Sequence, residues 1–308
     1  MRIQKGALRF MELYKQALAG VSLPNILLPA DGIDLRRFSV IACDQFTAQP
    51  DYWRDVENIV GDACSTLRIT LPEVYLSEDN SAEIDRINAT MRYYLDKRLL
   101  VDIGETFVYL RRKTSDGIRQ GLVVALDLEQ YDYAKDAKSM IRATEGTIVE
   151  RLPPRIKIRS GAPLETPHIM VLIDDRENRL MGLLAGQVKA LECLYDFALM
   201  KDGGHSTGYR VDNSALILEI AHILKDLKEQ GGDNFLFAMG DGNHSFAAAK
   251  ACWEALKPTL PPEERENHPA RYALAELVNL YDPALKFEPI HRLLYHVDPA
   301  AIQRELSF

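Results

Sequence analysis

"NFLFAMGDGNHSFAAAKACWEAL", residues 234–256, joins an apolar run to an alanine-rich stretch through a turn of small and polar residues. Phe235 to Met239 read as a buried strand, and the pattern from Phe246 onward reads as a helix. Between them stand Gly240, Asp241, Gly242, Asn243, His244 and Ser245. A strand that hands over to a helix at such a turn gathers backbone N–H groups at one point. The helix dipole adds partial positive charge there, which suits an anion such as phosphate. Gly240 and Gly242 can take backbone angles that let successive N–H groups converge. Asp241 could accept a proton from a substrate hydroxyl or hold a magnesium ion. Asn243, His244 and Ser245 could cap the helix or donate to phosphate oxygens. A plain tight turn explains the same residues equally well, because Asp, Asn and Ser are ordinary N-caps and glycine is an ordinary turn residue.

Working outward, "NSALILEIAHILKDLKEQGG" (213–232) is a helix with the stripe Leu216, Ile220, Ile223, Leu224 and Leu227, stopped by Gly231-Gly232. "SAEIDRINATMRYYLDKRLL" (81–100) is a second helix, which Ser81 can cap, with Ile84, Ile87, Met91, Leu95 and Leu99 on one face. "TFVYLRR" and "GLVVALDL" are strand candidates joined by a turn at Asp116-Gly117. "HIMVLIDD" (168–175) and "SVIAC" (39–43) read as buried strands, "TLRITLPEVYL" (66–76) as extended, and "VSLPNILLPADGIDLRRF" (21–38) as loop. Residues 1–20 read as an amphipathic helix. Helices and strands alternate, with long extended stretches between them, so the fold class is α/β of mixed α+β character. Residues 21–308 are treated as one large domain, with the turn-bearing half at about 160–308.

The 308 residues are 47% hydrophobic and 27% charged, the profile of a globular chain with a full core. A formal net charge of -8 argues against a general nucleic-acid binder. Lys5, Arg9, Glu12 and Lys15 interrupt the first helix, so it does not read as a signal peptide, and no apolar run is long enough to span a bilayer. A cytoplasmic protein is expected. The four cysteines form no CxxC pair and read as reduced, mostly buried thiols. The seven histidines form no HExxH set, so no structural metal is expected. Magnesium carried in with ADP or ATP is compatible, because that ion needs few protein ligands.

"IRATEGTIVERLPPRIKIR" (141–159) concentrates positive charge in an acidic chain. The cluster could grip a polyphosphate tail. "RIKIR" alternates strictly, however, and this assigns Lys157 and Arg159 to the solvent face of a strand. For Arg142, Arg151 and Arg155 the phosphate and solvent-face readings balance. Glu145, beside Gly146, is a candidate catalytic carboxylate or a turn residue. "FEPIHR" (287–292) offers His291 and Arg292, for which a surface salt bridge is the plainer explanation. "MKDGGHSTGYR" (200–210) could be a second glycine-rich ligand loop, and a hairpin turn explains it more simply. Cys43, beside Asp44, has no histidine near it in sequence and reads as a buried thiol.

"GDGNHSFAAAK" resembles the D-G-x-H-R signature and following alanine-bearing helix of the bacterial family called domain of unknown function ten-fifteen. "ACDQFTAQPDYW", "IRATEGTIVERLPPRIKIRSGAPLETPHIMVLIDD" and "LVNLYDPALKFEPIHRLL" resemble the same family in the same order, covering most of the chain from about residue 22. That family is similar, distantly, to the ParB/sulfiredoxin-like superfamily. The resemblance implies a core of mixed sheet with flanking helices, elaborated by the N-terminal region. It implies a phosphate-loop role for Asp241, Gly242 and His244. Ser245 stands where the signature has arginine, which removes a charge-assisted fork. Arg292, in the family's P-x-H-R element, could supply the missing charge. One branch of the superfamily phosphorylates free serine with ADP. The resemblance therefore implies a nucleotide as small-molecule partner, with small-molecule kinase or phosphotransferase chemistry. A non-catalytic nucleotide-binding regulatory module is the alternative. A ParB-like nucleic-acid partner is disfavoured by the charge and by the lack of a basic recognition helix.

Overall fold

The computed structural model describes residues 20–41, 43–76, 79–147, 152–166, 169–286 and 294–306. Its strands are, in chain order, β1 (Val21–Ser22), β2 (Asn25–Pro29), β3 (Leu100–Glu105), β4 (Phe107–Thr114), β5 (Gly117–Asp127), β6 (Tyr131–Asp132), β7 (Ile141–Arg142), β8 (Met170–Ile173), β9 (Cys193–Ala198), β10 (His205–Val211), β11 (Phe237–Asp241) and β12 (Tyr272–Asn279). β4 and β5 are the hairpin that the sequence pattern predicts, in register from Val108↔Val123 to Thr114↔Gly117. Their alternation sends Phe107, Tyr109, Leu122, Val124 and Leu126 to one buried face.

Ten strands form one mixed sheet, ordered β6-β7-β11-β8-β12-β5-β4-β10-β9, with β1 pairing β5 beyond the end of β4. The β6–β7, β7–β11 and β8–β12 pairs are parallel and the others antiparallel. β2 and β3 form a separate two-stranded sheet. The apolar stripes of the helices Arg179–Gln187, Ser214–Gly231 and Asn243–Leu256 join β4, β5, β8, β11 and β12 in the main core. Leu216, Ile220, Ile223, Leu224 and Leu227 are all buried as the periodicity predicts. Each such side chain contributes roughly 1.5–3 kcal/mol. Asn213 caps that helix, its side chain accepting from the amides of Ala215 and Leu216 at 3.0 and 3.1 Å. The helices Pro50–Val60 and Ser81–Asp96 build two smaller clusters, one around Trp53 and Val56 and one around Ile87, Met91 and Tyr94.

Several local readings are corrected. Residues 21–38 hold β1, β2 and a short helix, Leu35–Phe38, capped by Asp34. Pro24 falls between the two strands and Pro29 ends the second, where neither interrupts a ladder. Residues 39–41 form no strand. The stretch 66–76 contains two single-turn 3₁₀ helices, Thr66–Arg68 and Glu73–Tyr75. Ser81 opens its helix rather than capping it, and Asp79 accepts its amide at 2.9 Å. "RIKIR" lies in the helix Leu152–Ser160 and not in a strand. Cys193 is exposed, whereas Cys43, Cys64 and Cys252 are half-buried, and all four are free thiols. No helix among the described residues is long and apolar enough to cross a membrane. All but the last residue of the expected N-terminal helix lies outside the described residues.

Candidate functional site

β11 ends at Asp241, and Gly242 turns the chain with φ at 81° into the helix Asn243–Leu256. Gly242 is itself the N-cap, and having no side chain it offers the helix no side-chain cap. Asp241 instead folds back, its Oδ1 accepting the Gly242 amide at 2.8 Å. The first intrahelical bond runs from the Phe246 amide to the Gly242 carbonyl at 2.9 Å. The amides of 243–245 therefore stand at the positive end of the helix dipole. Asn243 is only 6% exposed, and its Oδ1 has no hydrogen-bond partner among the described residues. A buried amide oxygen left in that state is costly, and a polar occupant of the adjoining space would relieve it.

That space is a cleft of about 340 Å³. One wall is the turn from Asp241 to Ser245, flanked by Glu145. A second is the Leu152–Ser160 helix, which presents Arg155 and Arg159. Cys43, Asp44 and Glu73 face these from the N-terminal part of the chain. The remaining wall is apolar, with Ile69, Leu71, Met91 and Leu164. Arg155 Nη2 lies 3.2 Å from Glu73 Oε1, and Arg159 pairs with Glu165. Burial, reinforced by the charge of Asp44, pushes the Cys43 thiol up to about 12. That shift disfavours the thiolate, the form in which a cysteine acts as a nucleophile.

Seven residues singled out from sequence meet in this cleft: Asp241, Gly242, Asn243, His244, Ser245, Glu145 and Arg155. Gly240 does not line it. A methyl group at Gly240 would instead press on the Leu172 side chain at 3.0 Å. Arg142 points elsewhere, with Nε donating to the Ser139 carbonyl at 2.8 Å, Asp233 at 3.2 Å and the Phe235 ring 4.8 Å away. Arg151, His291 and Arg292 lie outside the described residues. Gly203 and Gly204 form the turn of the β9–β10 hairpin, as the simpler reading has it.

The residue that sequence reasoning sent to solvent is Arg159. Its strict alternation with Ile158 and Ile156 resembles a strand. The signal against that was Pro153-Pro154, which fits the first turn of a helix and would place Arg155 and Arg159 on one face at i and i+4. Glu73 and Glu165 were likewise not singled out, and only the tertiary fold brings them to the arginines.

The sequence model of the family described as "Protein of unknown function (DUF1015)" matches residues 27–307. The chain belongs to that family. No curated protein and no solved structure matches the chain. For this DUF1015 member, the match runs continuously through every wall of the cleft. Among the described residues no group of three or more His, Cys, Asp or Glu side chains is placed to hold a metal ion. The carboxylates lining the DUF1015 cleft, Asp44, Glu145 and Asp241 among them, are hard oxygen donors. Oxygen donors of that kind are the ligand type that magnesium takes.

Proposed function

We propose that this chain binds a nucleotide in the cleft at residues 241–245 and acts as a small-molecule phosphotransferase. One observation carries the reading: three segments distant in sequence, around 145, 155 and 241–245, line one cleft at a helix start. Backbone amides and the helix dipole receive the phosphates, and Arg155 adds charge-assisted donors. The apolar wall of Ile69, Leu71, Met91 and Leu164 receives the base.

Asp241 or Glu145 takes the proton of a substrate hydroxyl as its oxygen bonds to the terminal phosphorus. The bond from phosphorus to the bridging oxygen breaks, and its electron pair leaves on the nucleotide product. Where Glu145 is the base, Asp241 would hold magnesium, which would supply charge neutralisation when bound. Phosphoryl transfer is chiefly positioning and electrostatics, so this set of groups suffices. The mixed sheet with its strand–turn–helix corner is the part we assign to a ParB/sulfiredoxin-like core.

Ser245 favours a second reading, a regulatory module that binds nucleotide without turnover, because the signature's arginine is absent at that position. A thermal-shift screen with ADP, ATP and CTP, each with and without magnesium, tests the common part, since a ligand that prefers the native state raises the melting temperature. Turnover with free serine and other hydroxylated small molecules then separates the two readings. No shift with any nucleotide sinks both.

A further inference from the structure

Arg155 and Arg159 stand one turn apart on the same helix and line the same cleft, yet they are held differently. Arg155 meets Glu73 at 3.2 Å, and the Glu73 side chain is 36% exposed, so this pair can part at little cost. Arg159 pairs with Glu165 through Oε1, while Glu165 Oε2 accepts the backbone amide of Leu274 on β12 at 2.9 Å. The carboxylate that orients Arg159 is thus pinned to the sheet. On its other side the Leu152–Ser160 helix abuts the Asn243–Leu256 helix, where Cys252 Sγ lies 3.9 Å from the Ile156 carbonyl. A guanidinium has five N–H donors, and one carboxylate oxygen does not exhaust them.

We propose that Arg159 is the pre-oriented phosphate-gripping guanidinium of this cleft, acting beside the more loosely held Arg155. The assignment rests on the nucleotide-cleft reading above. Arg159 and the turn at 241–245 line the same cleft from two different helices. Glu165 fixes its direction before ligand arrives, which lowers the ordering cost of binding. Lys157, two residues away and 54% exposed, points out of the cleft toward Ser81 and Asp79 and takes no part.

The test is isothermal titration of ADP and of inorganic pyrophosphate into wild type, Arg159→Gln, Arg159→Lys and Lys157→Gln, with unliganded melting recorded for each. Arg159→Gln is expected to weaken both ligands by about ten- to a hundredfold, the usual worth of a charge-assisted pair. Arg159→Lys should melt like wild type and recover only part of the affinity, because an ammonium lacks the planar fork. Lys157→Gln removes the same charge from the same helix and should bind like wild type. Wild-type affinity in a folded Arg159→Gln or Arg159→Lys variant overturns the assignment of Arg159 while leaving the cleft reading intact. Absence of ADP and pyrophosphate binding in wild type overturns both.

Discussion

Gly242 sits directly on Ile169: a methyl group added to it would lie 3.1 Å from the Ile169 Cα and 3.1 Å from its Cγ1. With φ at 81°, the position is strained for any other residue even before that contact. Gly242→Val is therefore expected to cost about 2 kcal/mol of stability and to remove the nucleotide response. Denaturant melts with and without ADP check both effects. A variant as stable as wild type would show that the turn is not under the constraint described.

Asp127 and Arg271 tie the end of β5 to the start of β12. Nε and Nη2 of the arginine donate to the two carboxylate oxygens at 2.9 and 2.6 Å, and Asp127 is 5% exposed. Asp127→Asn leaves Arg271 partly buried without its counter-ion and is expected to cost roughly 3 kcal/mol in urea unfolding. A loss below about 1 kcal/mol would mark the pair as no better than a surface bridge.

Gly204 closes the β9–β10 hairpin with φ at 91°, and a methyl group there would fall 1.9 Å from the Lys113 carbonyl oxygen. The three nearest atoms, the Lys113 carbonyl oxygen and carbon and the Thr114 Cα, are all backbone and cannot relax by a rotamer change. Gly204→Ala should lose about 3 kcal/mol, read as a lowered urea midpoint. Gly32, where nothing lies within 4 Å, is the matched control: its φ of 87° leaves only the conformational cost, about 1 kcal/mol, for Gly32→Ala.

Cys43 should resist alkylation although it lines the cleft. Its thiol is pushed up to about 12 by burial and by Asp44, and only thiolate reacts. At pH 8 iodoacetamide should modify the exposed Cys193 well before Cys43. The Cys43 rate should rise about tenfold per pH unit through pH 9 and 10 without levelling. Peptide mapping by mass spectrometry reads both sites, and equal rates at pH 8 would contradict the environment assigned to Cys43.

What was readable in the chain follows how local the determining forces are. The 213–232 helix, the β4–β5 hairpin and the strand–turn–helix corner are set by short-range periodicity and turn chemistry, and the first two lie where expected. The strand of the third runs two residues later, Phe237–Asp241, and its helix opens at Asn243, leaving Gly242 alone as the turn. β12 is different. Its "YALAELVN" carries alanines, leucine and glutamate, which favour helices, yet it occupies the middle of the sheet. Glu276 is tolerated there because Arg119 meets it at 2.9 Å and because Gly121, lacking a Cβ, leaves room for its carboxylate. Neither partner is near it in sequence. In the cleft, likewise, the amide-bearing turn was readable, because glycine and polar residues mark it locally. Arg159 was not, since alternation over five residues outweighed the Pro153-Pro154 pair that marks a helix start, and the carboxylate that holds Arg159 comes from outside its helix.

The most direct measurement is a crystal structure of the chain grown with ADP and magnesium. If the helix start seats phosphate, the diphosphate will lie within hydrogen-bond distance of the backbone amides of Asn243, His244 and Ser245, with the base on the side of Met91 and Leu164. A nucleotide bound elsewhere, or a cleft whose amides are all taken by protein atoms in the crystal, would contradict it.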